Sequence, residues 1–157
     1  VFPQAVTQLC IVHQIRNSCK FVVYKDRQIF CQDLKEVYTA SNRIIATEEL
    51  EKFKSKWYAK YKYAITSWEE NWDNLSNYFD YPLELRKIIY TTNTIENLNR
   101  GIRKYTKTKT QYSTENAAIK SIYLSIKNVE EAWTRPMVNW GLILNQYLII
   151  FENRCRL

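Results

Sequence analysis

The spacing of apolar residues along the chain predicts a mostly helical protein. From His13 onward, apolar positions recur every three or four residues, which is the period of an amphipathic helix. Only two glycines and three prolines interrupt the 157 residues, and such scarcity favours long helices joined by short links. The exception is the segment 5–12, AVTQLCIV, which is short, apolar and partly β-branched and is the best candidate for a β-strand.

Six segments carry the helical period: 33–41, 47–61, 67–79, 94–107, about 114–130 and about 136–152. Thr47 and Ser67 are predicted N-caps, and Tyr81-Pro82 is predicted to end or interrupt the third helix. The run WGLILNQYLIIF (140–151) is too short to span a membrane and is predicted to be a buried helix. The five tryptophans lie at helical spacing and are expected in the core: Trp57, Trp68, Trp72, Trp133 and Trp140. Alternatively, one of the indoles before residue 88 stacks on an unpaired nucleic-acid base.

The helix predicted over 94–107 has two chemically different sides. At about 100° per residue, one narrow stripe is apolar and can bury against a core. It consists of Ile95, Leu98, Ile102 and Tyr105. The opposite side gathers one acid and three cations, which are Glu96, Arg100, Arg103 and Lys107.

Composition adds a preferred partner. Hydrophobic residues make up 46% and charged residues 25%, as expected of a folded domain. The net charge of +7 favours a polyanionic partner, with nucleic acid ahead of a membrane surface. Four cysteines without a Cys-x-x-Cys pair, together with a single histidine, argue against structural zinc and predict free thiols in a reducing cytosol.

Glu96 has two interpretations at this stage. In the first, Asn93 and Glu96 form a capping box, and Glu96 pairs with Arg100 one turn later. In the second, Glu96 helps to hold a divalent cation while the neighbouring cations attract a phosphate backbone. Magnesium sites usually need more than one carboxylate, so the local pattern leaves both interpretations open.

The basic stretch that follows is also open to two interpretations. Lys104, Lys107 and Lys109 alternate with hydroxyl-bearing residues, and both kinds of side chain suit contacts with phosphate. Alternatively, they form a solvated helix end whose charge complements the helix dipole.

Four blocks of the sequence resemble the C-terminal half of the mutator-type transposases of bacterial insertion sequences. They are VFPQAVTQLCIVHQIRNS (1–18), SWEENWDNL (67–75), YPLELRKIIYTTNTIENLNRGIRKYTKTK (81–109) and the Trp- and Tyr-rich end. QLCIVHQIRNS and IYTTNTIENLNRGIRK are the most specific of these, and the resemblance runs in order along nearly the whole chain.

The resemblance implies a ribonuclease-H-like catalytic domain with an Asp, Asp, Glu triad that binds Mg²⁺ or Mn²⁺. Glu96, in the block TTNTIE, would be the third metal ligand, and Cys10 and His13 match the family's Cys-x-x-His motif. His13 alone is more often a structural residue, and a hydrogen bond from it that orders the neighbouring site is the preferred hypothesis. Asn93, Cys10 and His13 would support the site, and the cations Arg100, Arg103, Lys104, Lys107 and Lys109 would bind DNA.

The implied fold is predominantly α with one or few strands. It would be the C-terminal part of a ribonuclease-H-like α/β domain, formed by residues 1–13 and 89–157. An all-helical insertion would cover residues 14–88. Asp26, Asp33, Asp73 and Asp80 fall in that insertion and are not expected to be triad members.

The chain departs from the family pattern at its start. The family's two catalytic aspartates lie upstream of the Phe-Pro block, and this chain begins at Val1-Phe2-Pro3 without a methionine. We therefore expect a piece of a longer enzyme, inactive alone and without a bound metal of its own.

The intact enzyme is expected to act on transposon ends and target DNA in the bacterial cytoplasm, as a homo-oligomer and without a membrane. The alternative is a non-enzymatic helical nucleic-acid-binding module that uses the stretch 100–109.

Overall fold

The computed structural model describes residues 3, 5–90, 93–109, 111–134 and 138–154, with the side chains of residues 93, 94 and 153 excepted. The helices in chain order are α1 (Ile11–Cys19), α2 (Tyr24–Tyr38), α3 (Arg43–Glu70), α4 (Trp72–Ser76), α5 (Leu83–Tyr90), α6 (Asn93–Thr106), α7 (Glu115–Ala132) and α8 (Trp140–Phe151). Short 3₁₀ helices follow α4, at Asn77–Asp80, and α8, at Glu152–Arg154. The chain divides into two compact units, Val1–Thr91 and Thr92–Leu157.

The predicted strand over 5–12 is wrong. Residues 5–10 are irregular, Ile11 already begins α1, and the described ranges contain no strand. The backbone groups that a ladder would use are satisfied elsewhere. The Leu9 amide donates to the Asn74 carbonyl at 2.9 Å. The Gln8 side chain donates to the Leu75 carbonyl and accepts from the Tyr78 amide, at 2.9 and 2.8 Å.

Helix α3 is a bent pair of arms and not one straight rod. Tyr61 has φ −132° and ψ 47°, which breaks the helical path. Contacts then join residues on opposite sides of the bend, including Lys54 Nζ to Glu69 Oε1 at 2.5 Å. Further from the bend, Trp72 Nε1 donates to Thr47 Oγ1 at 3.1 Å. The arms 43–60 and 62–70 therefore run back along each other.

The core of the first unit is built on aromatic rings from α2 and α3. The ring of Phe30, which is fully buried, packs edge-on against Phe53, Trp57 and Tyr61, with centroids 4.8 to 5.9 Å apart. Trp68 is also fully buried, and its indole donates to Ser18 Oγ at 2.9 Å. Such geometry gives aromatic pairs stabilisation beyond the burial of their area.

The second unit has a thin packed seam. Helices α6 and α7 meet where Gly101 faces Val129, and a Cβ added to Gly101 would lie 2.2 Å from Val129 Cγ2. Ser125 and Val129 are the buried residues of α7. Within α8, Ile143 is buried whereas Leu142 and Ile149 are 49% and 74% exposed. The prediction of a buried helix over 140–151 is therefore right about the helix and wrong about its burial.

Two predicted helix starts are also wrong. Asn42, and not Thr47, caps α3, since its side chain accepts from the Ile45 amide at 3.0 Å. Ser67 lies inside α3 and accepts a hydrogen bond from the Gln14 side chain at 2.8 Å. The break at Tyr81-Pro82 is confirmed, because the 3₁₀ helix ends at Asp80 and α5 begins at Leu83.

The tryptophans divide between the two units. Trp57 and Trp68 are buried, and Trp72 packs against the core of the first unit. Trp133 and Trp140 are 52% and 49% exposed, so the expectation that all five lie in the core is wrong for these two. In the part of the chain described, no helix combines the length and the apolar character that a bilayer crossing requires.

Candidate functional site

Glu96 lies in the first turn of α6, as predicted. The helix spans Asn93–Thr106, within one residue of the predicted range, and the Glu96 side chain is half-buried. The amide groups of a helix's first turn favour an anion there. The cap predicted at Asn93 falls on a side chain outside the described residues.

The apolar stripe of α6 is displaced from the predicted one. Leu98 and Ile102 are half-buried, but Ile95 and Tyr105 are 64% and 42% exposed. Because Gly101 makes the close contact with α7, the packed face is centred on Gly101 and lies partly to one side of the predicted line.

The five predicted DNA-binding cations are all exposed. They are Arg100, Arg103, Lys104, Lys107 and Lys109. The ammonium groups of Lys104 and Lys109 lie 5.6 and 5.5 Å from the ring centres of Tyr105 and Tyr112. An exposed cationic helix face with neighbouring hydroxyls and rings can neutralise phosphates and contact sugars or bases.

The described residues do not by themselves form a metal site. They contain no group of three or more His, Cys, Asp or Glu side chains that could hold an ion. A role of Glu96 as a metal ligand therefore stays a prediction. Three of the four aspartates of the first unit form ion pairs there: Asp26 with Lys60, Asp33 with Lys56 and Asp73 with Arg43.

Cys10 and His13 lie at the start of α1. Cys10 occupies the N-cap position, where its carbonyl accepts from the Gln14 amide at 3.0 Å. His13 is exposed in the first turn. Their spacing places both side chains near one helix end, and a role in supporting the site stays a prediction.

The sequence did not indicate two other groupings. Cys19 and Cys31 bring their Sγ atoms to 3.1 Å, and burial, with the Cys31 thiol beside it, raises the pKa of Cys19 to about 11. These thiols, with Cys10, are free as predicted. Asp26 accepts from both Lys60 and Tyr61 at the bend of α3. Because these partners are distant in sequence, no local pattern marks them.

Comparison with known proteins gives this arrangement a context. The profile of the family described as "Transposase, Mutator family" matches residues 1–136. The transposase for insertion sequence element ISRM3 of Rhizobium meliloti (strain 1021) is 38% identical over 155 residues, which is 98% of this chain and 39% of that protein. A probable insertion-sequence transposase of Corynebacterium diphtheriae is 37% identical over 131 residues, which is 83% of this chain and 38% of that protein.

The chain belongs to the Mutator family of transposases, and its relatives are insertion-sequence transposases. It spans about two fifths of the length of the curated relatives that it matches most extensively. The resemblance first seen in the motifs is therefore confirmed.

Proposed function

We propose that this chain is the C-terminal part of a transposase that cleaves and joins DNA with an Asp, Asp, Glu metal site, and that Glu96 is the glutamate of that site. The observation that carries the proposal is the position of Glu96. It stands in the first turn of a helix whose exposed face is cationic, inside the region that matches the family.

In this proposal, the remaining carboxylates come from outside this chain. Divalent metal ions, when bound, would lower the pKa of the attacking hydroxyl and stabilise the leaving oxygen at the scissile phosphate. The task of Glu96 is to present an ionised oxygen from a rigid helix start. The cations of α6 would hold the DNA backbone, and the intact enzyme would act as a homo-oligomer on transposon ends and target DNA.

The ribonuclease-H-like fold is part of the same proposal. Helices α7 and α8 expose many apolar side chains, among them Ile119, Tyr123, Leu142 and Ile149. In a ribonuclease-H-like domain, helices cover a central sheet, so such side chains would pack against strands of the intact enzyme. Residues 14–88 would then be a helical insertion; the compact first unit, Val1–Thr91, contains these residues together with residues 1–13.

The test is Glu96→Gln in the full-length transposase that contains this chain. The amide keeps the size of the side chain but removes the charge that a metal ligand needs. We expect strand cleavage and joining in Mg²⁺ to fall by at least about 1,000-fold, a loss typical of removing a group essential to catalysis. Binding to the transposon ends, measured by fluorescence anisotropy, should persist.

A matched control separates catalysis from helix capping. Glu115→Gln alters the exposed glutamate that begins α7 and that, like Glu96, lies in the first turn of its helix. It should leave strand transfer near the wild-type level. Substantial strand transfer by Glu96→Gln, or an equal loss in the Glu115 variant, would overturn the metal assignment. If DNA binding survived, this chain would then serve as a nucleic-acid-binding module of a transposase whose catalytic carboxylates lie elsewhere.

A further inference from the structure

The bend of α3 presents an exposed aromatic and cationic surface in the first unit. The start of α2 lies against this bend, because Asp26 in its first turn accepts hydrogen bonds from Lys60 and Tyr61. The ring of Phe21, from the turn between α1 and α2, stacks on Tyr63 from α3, with centroids 6.0 Å apart and planes 21° apart. We call this exposed ring pair, together with the exposed residues next to it in sequence, the corner patch: Phe21, Tyr63, Tyr24, Lys20, Lys25 and Lys62.

The rings of the corner patch are unusually open to solvent. Phe21, Tyr24 and Tyr63 are 57%, 87% and 79% exposed, although the same bend supplies Tyr61 to the buried core. An exposed apolar side chain standing alone needs no explanation, but a stacked exposed pair with a third ring nearby in sequence is a surface. It offers flat π faces to a partner.

The charges around these rings indicate which kind of partner would bind there. Residues 20–27 and 58–63, which form the corner, carry five cations and one acid, and that acid, Asp26, is already paired with Lys60. Lys20, Lys25 and Lys62 are exposed. Lysine is depleted in protein–protein interfaces, whereas aromatic rings among lysines are typical of surfaces that bind single-stranded nucleic acid.

We infer that the corner patch binds single-stranded DNA, with an unpaired base stacking on the Phe21 and Tyr63 rings and the lysines contacting its phosphates. Duplex DNA keeps its bases stacked on each other, so it could use the cations but not the rings. The inference is independent of Glu96 and of the basic face of α6.

The test compares three DNA ligands of equal length: a single strand, its duplex, and an abasic single strand that keeps the phosphates and lacks the bases. The protein is the 157-residue chain with Arg103→Gln and Lys107→Gln, so that the α6 face contributes less. We expect the normal strand to bind at least about tenfold more tightly than the abasic strand, as stacking of one base implies.

Substitutions of the two rings then test whether the unpaired base stacks on them. Phe21→Ala with Tyr63→Ala should remove the preference for the normal strand, whereas Phe21→Tyr with Tyr63→Phe, which retains both rings, should keep it. Tyr123→Ala, which removes a 57% exposed tyrosine of α7, is the matched control and should change nothing. Circular dichroism checks that each variant retains its helices.

Three outcomes would overturn the inference. They are an unchanged preference in the double alanine variant, a loss of preference in the ring-retaining variant, and tighter binding to duplex than to single strand. If the same alanine changes abolish binding to anionic lipid vesicles and not to DNA, the patch is a membrane surface instead. The transposase proposal is tested by Glu96→Gln and stands or falls separately.

Discussion

At the scale of single residues, Asp26 links the first turn of α2 to the bend of α3. Hydrogen bonds from Lys60 and Tyr61 hold the pKa of its carboxyl below the usual value. Burial and the bond to Asp26 raise the pKa of Tyr61, so its hydroxyl stays a donor. The ionised form of Asp26 is therefore favoured by folding.

This linkage predicts how stability depends on pH. Asp26→Asn should lower the free energy of unfolding at pH 7, because the amide lacks the charge that both partners favour. A depressed pKa stabilises the fold above the unfolded value of about 3.9, and this stabilisation disappears as pH falls through the folded value. The difference between wild type and variant should be constant from pH 7 to about pH 5.5 and shrink below about pH 4.

Urea unfolding followed by tryptophan fluorescence measures this difference, since Trp57 and Trp68 lie in the core of the same unit. Asp73→Asn is the control: Asp73 also joins the two sides of the bend, through Arg43 at 2.9 Å, but its side chain is 97% exposed. An exposed ion pair contributes little, so this variant should unfold nearly as wild type does. A difference for Asp26→Asn that persisted undiminished at pH 3 would contradict the linkage.

At the scale of helices, the seam between α6 and α7 depends on the missing side chain of Gly101. A glycine inside a helix ordinarily costs about 1 kcal/mol relative to alanine. Here a methyl group would lie 2.2 Å from Val129 Cγ2, and valine has little rotamer freedom in a helix. The contact is within the second unit and explains why the packed face of α6 departs from the apolar stripe.

Gly101→Ala should therefore destabilise the second unit by up to about 2 kcal/mol, since overpacking costs about 1–3 kcal/mol and the gain in helix propensity offsets about 1 kcal/mol of it. Adding Val129→Ala should relieve the clash, so the double variant should be more stable than the sum of the single effects predicts. Hydrogen exchange at the α6 and α7 amides reports this unit separately. Slower hydrogen exchange in α6 of the Gly101→Ala variant would contradict this prediction, because it would show that α6 and α7 accommodate the methyl group without loss of stability.

The helices were largely predictable and their packing was not. Periodicity placed α6 and α7 within a few residues, because an amphipathic pattern is local. It failed for residues 5–10, whose hydrogen bonds go to residues 74–78, and for α3, whose bend at Tyr61 is held by distant Asp26. Glu96 was singled out by the family motif, whereas the corner patch needs contacts between residues 21 and 63 that no sequence window contains.

At the scale of the whole molecule, the cations that give the net charge of +7 differ in whether they lie beside carboxylates. Several lysines are committed to carboxylates, such as Lys52 with Glu49 and Lys127 with Glu130, at 2.6 and 2.8 Å. The cations of residues 100–109 instead form an exposed run that contains no acid. The affinity of the protein for a polyanion should therefore depend on where its positive charges lie and not only on the net charge.

Neutralising Arg103 and Lys107 to glutamine should weaken binding to duplex DNA of any sequence and flatten its dependence on salt. Each neutralised phosphate contributes about 0.9 to the slope of log affinity against log salt, so losing both contacts should reduce the slope by up to roughly 1.8. Fluorescence anisotropy with three unrelated duplexes from 50 to 200 mM salt measures it. The variant Lys52→Gln with Lys127→Gln removes the same charge from paired sites and should keep the wild-type slope. If both variants reduce the salt slope equally, the net charge acts as a whole and α6 is not the contact surface. If binding to only one of the three sequences is weakened and the slope is unchanged, α6 contacts bases and not phosphates.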